Sequence, residues 1–95
     1  MAVYVVLSRV TPGAFREPGD FRKVVETVVE RIREDCPDIT FKDSYATLGR
    51  FDFVDIIESD DPEQVKKAIM IMRACGQSET ETLVATPFQE FLARL

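Results

Sequence analysis

Apolar positions recur along this chain with two alternating periods. Val3 to Val10 is an apolar, largely β-branched run closed by Thr11-Pro12-Gly13, which reads as a buried central strand. Gly13 to Gly19, with Pro18, reads as a loop. Asp20 stands where an N-cap belongs. Behind it Phe21, Val24, Val25, Val28 and Ile32 recur at helical spacing, with Arg22, Lys23, Glu26, Glu30 and Arg31 on the other side. Valine is a poor helix former, so packing must hold this helix. Cys36-Pro37 ends it, because proline restricts the residue before it and cannot continue the backbone ladder.

Ile39 to Thr47 alternates loosely, Ile39, Phe41, Asp43 and Tyr45 against Thr40, Lys42, Ser44 and Ala46, and its charges suit an edge strand. Leu48-Gly49-Arg50 turns the chain into a strand from Phe51 to Glu58. Asp61-Pro62-Glu63-Gln64 carries an N-cap, a proline for the first helical position and a capping-box glutamine. Val65, Ala68, Ile69, Met72 and Cys75 form the apolar side of the helix it opens, and Gly76 stops it. Thr80 to Thr86 is a second edge-like strand. Thr86-Pro87-Phe88-Gln89 then repeats the cap signature and opens a short terminal helix bearing Phe88, Phe91, Leu92 and Leu95. The order β-α-β-β-α-β predicts a single α+β domain over residues 1–95. Its expected form is a ferredoxin-like sandwich with an antiparallel four-stranded sheet and both helices on one face. The first and third strands are expected in the middle, parallel to one another.

Those two strands are apolar on both sides. Val3, Val5 and Leu7 oppose Tyr4, Val6 and Val10, and Phe51, Phe53 and Ile57 oppose Val54 and Ile56. A sheet covered on one side alternates oily and polar residues, so a second cover is required here. It is either a second copy of the chain across a two-fold axis or the terminal helix folded back. The pairing of two copies is the preferred expectation.

Composition narrows the chemistry further. Twelve basic and seventeen acidic residues give a net charge of −5 over 95 residues, which argues against nucleic acid or an anionic membrane as partner. No basic leader precedes the first strand and no apolar run approaches membrane-spanning length, so a cytoplasmic location is expected. There is no histidine, which removes the commonest metal ligand and general base. Glycines and cysteines form no phosphate-cradling or zinc-binding spacing, so neither metal nor cofactor is expected. Cys36 and Cys75 fall at helix C-terminal ends on the same side of the domain. Packed helices sit roughly 8–10 Å apart, which makes a disulfide between them unfavourable.

Gly49-Arg50-Phe51-Asp52, with the apolar strand behind it, resembles the glycine-aromatic-aspartate signature of the GYD domain family. Tyr4 to Pro12, Tyr45 to Gly49 and Glu79 to Leu83 are similar to that family's segments in matching order. Phe51 replaces the tyrosine of the signature, and Asp55 falls where an apolar residue is expected. The resemblance implies a dimeric α/β-barrel domain in a family with no established biochemical activity. Relatives in the wider barrel superfamily include monooxygenases, dehalogenase-like enzymes and small-ligand binders.

Asp55 is the residue that stands out, a carboxylate in the middle of the most buried strand. Facing a dry helix layer it would be costly, so it is expected to point into the space between two sheets. There it either forms a structural pair with Arg9, Lys42 or the second copy, or reads a ligand with its pKa raised by desolvation. Asp52 is expected to tie its turn or to pair with Arg50. Two functions stay open. One is a non-catalytic domain that dimerises through its sheet and holds a small apolar or aromatic ligand in the interface, with Asp55, Tyr45, Arg9 and Phe53 as candidate binding residues. The other is a cofactor-independent enzyme with Asp55 as acid/base and Tyr45 or Arg9 as orienter.

Overall fold

The computed structural model describes residues 1–95. Strands β1 (Ala2–Val10), β2 (Thr40–Ala46), β3 (Phe53–Ser59) and β4 (Ser78–Ala85) form one sheet in the order β2-β3-β1-β4. Helices α1 (Pro18–Asp35) and α2 (Pro62–Cys75) connect them, and α3 (Phe88–Ala93) follows β4. This is the expected β-α-β-β-α-β ferredoxin-like arrangement. One detail is corrected: β1 and β3 pair antiparallel, as do all neighbours in the sheet. The β1-α1-β2 crossover makes β1 and β2 parallel, and β3 returns between them by a turn.

Strand pairing fixes which residues share a face. Tyr4 lies opposite Ile57, Val6 opposite Asp55 and Ser8 opposite Phe53, and directly opposed residues point the same way. Tyr4, Val6 and Ile57 are buried with Val28, Ile32 and Cys36 of the α1 side and Val65, Ala68, Ile71 and Met72 of α2. The core therefore lies wholly between sheet and helices. Val3, Val5 and Leu7 of β1 point the other way, beside Val54 and Ile56 of β3 and Leu83 of β4. No element packs over that second face.

Three local departures from the sequence reading have physical causes. First, α1 begins at Pro18 rather than behind Asp20. Proline at the first helical position is pre-set for the helix, and Asp20 falls in the first turn, where its charge favours the helix N-terminus. Second, β2 carries an irregularity in its pairing between Phe41 and Asp43. The extra residue, Lys42, breaks the expected alternation. Phe41, Ser44 and Ala46 then share the helix side with Ile57, Asp55 and Phe53, while Asp43 and Tyr45 lie on the other face. Third, Pro87 itself occupies the N-cap of α3, so the Thr86 cap does not form. That helix packs against no other element, and Phe88, Phe91, Leu92 and Leu95 are exposed. The terminal helix does not fold back over the sheet.

The start of α2 is as expected. Asp61 caps the helix by accepting from the Glu63 amide at 3.0 Å, with Pro62 at the first position. Asp38, just before β2, accepts from the Ser59 hydroxyl at 2.6 Å and from the Asp60 and Asp61 amides at 2.8 and 3.1 Å. Gln64 accepts from the Asp38 amide at 2.8 Å. One carboxylate thus joins the α1–β2 corner to the β3–α2 corner. Cys36 and Cys75 are both free thiols.

Candidate functional site

The two helices sit at different heights above the sheet. α2 packs close on β3 and β4, whereas no Cα of α1 lies within 8 Å of a strand Cα; α1 is carried by α2. The gap beneath α1 is a cavity of about 450 Å³, a volume typical of small-molecule sites. Its roof is Phe21, Val24, Val25, Val28, Val29 and Ile32 of α1. Its floor is Ser8, Phe41, Ser44, Ala46, Phe53 and Asp55, with Met72, Gly76 and Ser78 at the α2–β4 side. The run of α1 valines that suits a helix poorly serves here as a smooth apolar wall. At one end Phe21 stacks on Phe53 with ring centroids 4.6 Å apart, and Phe15 meets Phe21 edge-on at 5.5 Å.

Asp55 lies on this floor, under the helix, and not between two sheets; the expectation that it faces away from the helices is corrected. Its neighbour opposite on β1 is Val6, which is fully buried, so the carboxylate borders the core. The cost that made this orientation look unfavourable is relieved by the cavity, which lets solvent reach the group. Ser44 donates to Asp55 Oδ1 at 2.5 Å, a contact created by the β2 irregularity. Burial pushes the Asp55 carboxyl above the ordinary aspartate value, and the Ser44 hydrogen bond offsets part of that shift. Neither Arg9 nor Lys42 pairs with it. Lys42 lies 3.8 Å from Glu58, and Arg9 Nη2 lies 2.8 Å from Glu79 Oε2.

The four candidate residues therefore divide. Asp55 and Phe53 meet in the cavity. Tyr45 borders it, yet its register against Val54 directs its side chain to the other face, where the residue is 57% exposed. Arg9 stands on the helix-free side with Glu79 and does not approach Asp55. Ser44, Ser8 and the α1 valines complete the site. The sequence signal that could have found Ser44 was its parity relative to Asp55, which the extra residue in β2 concealed.

Just before β3 the glycine-aromatic-aspartate segment forms a clamp. Gly49 has φ +113°, a conformation that side chains with a Cβ rarely adopt. Asp52 accepts from the Val10 amide through its carboxylate at 2.9 Å, donates its own amide to the Ser8 carbonyl at 2.8 Å and accepts from the Thr47 amide at 2.8 Å. The Thr47 hydroxyl donates to the Phe51 carbonyl at 2.7 Å. Asp52 ties three segments of the corner, as its turn role predicts. The sequence model of the GYD domain matches residues 4–95. The chain belongs to the GYD domain family.

A relative of this GYD domain from Thermus thermophilus is 28% identical over 95 residues, covering 100% of this chain and 99% of the relative. It is named "Glutamine synthetase and cystathionine beta-lyase binding protein". Among solved structures, FFRP-DM1 superposes with a TM-score of 0.59 at 20% identity, over 90% of this chain and 100% of its own. TTHA0845, also from Thermus thermophilus, gives 0.59 at 22% identity, over 92% of this chain and 95% of its own. These structural likenesses show the fold. Within the GYD frame, Phe51 takes the aromatic position and contributes its carbonyl to the corner, a bond that needs no phenol.

Proposed function

We propose that this GYD domain is a non-catalytic binding domain that assembles as a homodimer through the helix-free face of its sheet and holds a small apolar ligand beneath α1. The observation that carries the assembly is that face itself: Val3, Val5, Leu7, Val54, Ile56 and Leu83 form a contiguous apolar surface with no cover from within the chain. Such a surface is characteristic of an interface, and a two-fold axis makes it self-complementary. The projecting α3, with four exposed apolar side chains, reaches beyond the body and adds to the contact with the second copy.

A binding role is favoured over catalysis by the isolation of Asp55. Arg9 is committed to Glu79 on the far face, and Tyr45 directs its side chain there too, so neither is an orienter for an acid/base at Asp55. The name of the Thermus relative, which refers to binding two enzymes, supports the same reading. Two free thiols suit a reducing cytoplasm.

Light scattering of the purified chain at micromolar concentration tests the assembly. A dimer mass or a higher multiple is expected, and a single-chain mass would defeat the proposal.

A further inference from the structure

The cavity beneath α1 holds one acid and one base that do not pair. Asp55 is the only acidic residue in its lining, and its carboxylate is engaged by Ser44 at one oxygen with no cationic side chain in salt-bridge range. The one basic residue of the lining, Arg33, stands in the last turn of α1 and forms no ion pair with Asp55. Elsewhere the walls are valine, isoleucine, phenylalanine, alanine and methionine, apart from Ser8, Ser78, Gly76 and Tyr45 at the border. A carboxylate drawn out of water is stabilised strongly only by an opposite charge that is also hydrogen-bonded to it. This chain supplies the apolar enclosure, the anion and a hydroxyl to orient it, but no cation that pairs with Asp55.

We infer that the cavity between α1 and the β2–β3 half of the sheet is a binding site for a small hydrophobic amine. Its ammonium pairs with Asp55, and its apolar body lies along the α1 valines towards the Phe21–Phe53 stack. The inference rests on the reading of the chain as a small-ligand binder, but not on its dimerisation, because the cavity lies on the side of the sheet away from the proposed interface. The ammonium can donate to the free carboxylate oxygen while Ser44 keeps the other. An aromatic body adds ring contacts at the end where Phe21 and Phe53 already stack with an interplanar angle of 10°. The raised Asp55 pKa agrees with a partly desolvated carboxylate that no cationic side chain pairs.

The test compares three isosteric probes at neutral pH: 2-phenylethylamine, 2-phenylethanol and phenylacetate. Each is titrated into the intact chain while amide and methyl NMR signals are followed. The amine is expected to bind at least about tenfold more tightly than the alcohol, equivalent to about 1.4 kcal/mol. Phenylacetate is expected not to bind, and the shifts should centre on Ser44, Phe53, Asp55 and the α1 valines. Asp55→Asn should bring the amine down to the affinity of the alcohol while leaving the alcohol unchanged, and its spectrum shows directly that it is folded. Equal affinity for amine and alcohol, preference for the acid, shifts centred elsewhere, an unaltered amine affinity in Asp55→Asn, or no saturable shift up to about 1 mM amine would each overturn the assignment. Light scattering on the same samples separates this outcome from assembly. A monomer that binds the amine overturns the dimer alone, and a dimer that does not overturns the amine site alone.

Discussion

Ser44 and Asp55 face each other across the β2–β3 pair, with the Ser44 hydroxyl donating to Asp55 Oδ1 at 2.5 Å on the side of the sheet that carries the helices. The bond favours the charged carboxylate, yet desolvation outweighs it and the Asp55 pKa is raised from 3.8. A raised acid pKa means that the folded chain holds the proton more tightly than the unfolded chain. Stability is therefore lost as pH rises from the unfolded value of 3.8 through the raised folded value. Asp55→Asn removes that penalty, so its Tm should exceed the wild-type value at neutral pH by a few degrees. About 1 kcal/mol moves Tm by roughly 4–8 °C at this size, and solvent in the cavity screens part of the penalty. The difference should close as pH falls below 3.8. Thermal melts across that range check it, and a variant that melts below wild type throughout would contradict it.

Asp38 has the opposite sign. Its hydrogen bond from Ser59, followed by that from the Asp60 amide, holds its carboxyl below the usual aspartate range. Its stabilisation is present above the unfolded pKa of 3.8 and is lost as pH falls through the lowered folded value. Asp38→Asn should lower Tm at neutral pH, because the buried Ser59 hydroxyl loses its charged acceptor. The deficit should shrink in acid, where wild type loses the same advantage. A deficit that stays constant from neutral pH into strong acid would remove this account.

Two backbone positions predict changes of opposite direction. Gly49 at φ +113° launches the corner before β3, and Gly49→Ala should cost on the order of 1–3 kcal/mol even though the space around it is open. Gln77 stands just past the α2 cap at φ +50°, so Gln77→Gly should relieve up to about 1 kcal/mol. Urea unfolding of both variants measures the pair, and a neutral Gly49→Ala would show that the corner rearranges at no cost.

The helix-free face gives the third kind of variant. Val5→Glu places a carboxylate in the centre of that surface, beside Val54, Ile56 and Leu83. It should convert the proposed dimer to monomer at micromolar concentration while preserving the far-UV circular dichroism, since the residue lies outside the core. An unchanged oligomer mass in this variant would move the interface elsewhere.

The two thiols should differ in reactivity. Cys36 is fully buried in the core and burial raises its pKa, whereas Cys75 is partly exposed and lies 3.5 Å from Arg31 Nη1. A thiol reagent should label Cys75 in the native chain and Cys36 only as the chain unfolds. Equal labelling rates would contradict this packing.

The legible parts of the fold were those whose signals lie within a few residues. Asp61-Pro62 announced α2 because cap, proline and glutamine act locally, and Asp52 announced its turn for the same reason. Strand orientation and facing were less accessible. β3 is apolar on both sides, so parity did not reveal whether Asp55 or Val54 faces the helices. Periodicity likewise placed Asp43 and Phe41 together, although the extra residue at Lys42 separates them. The cavity was beyond any local signal, since it depends on how high α1 rides above strands far from it in sequence.

That height has a mechanical meaning. Because α1 leans on α2 and on side chains rather than on the strand backbones, the hydrogen-bonded rungs of the sheet do not depend on its height. A guest lodged below it would be registered as a displacement of one rod, and the signal would emerge at the rod's ends near Pro18 and Asp35 while the platform underneath stayed still.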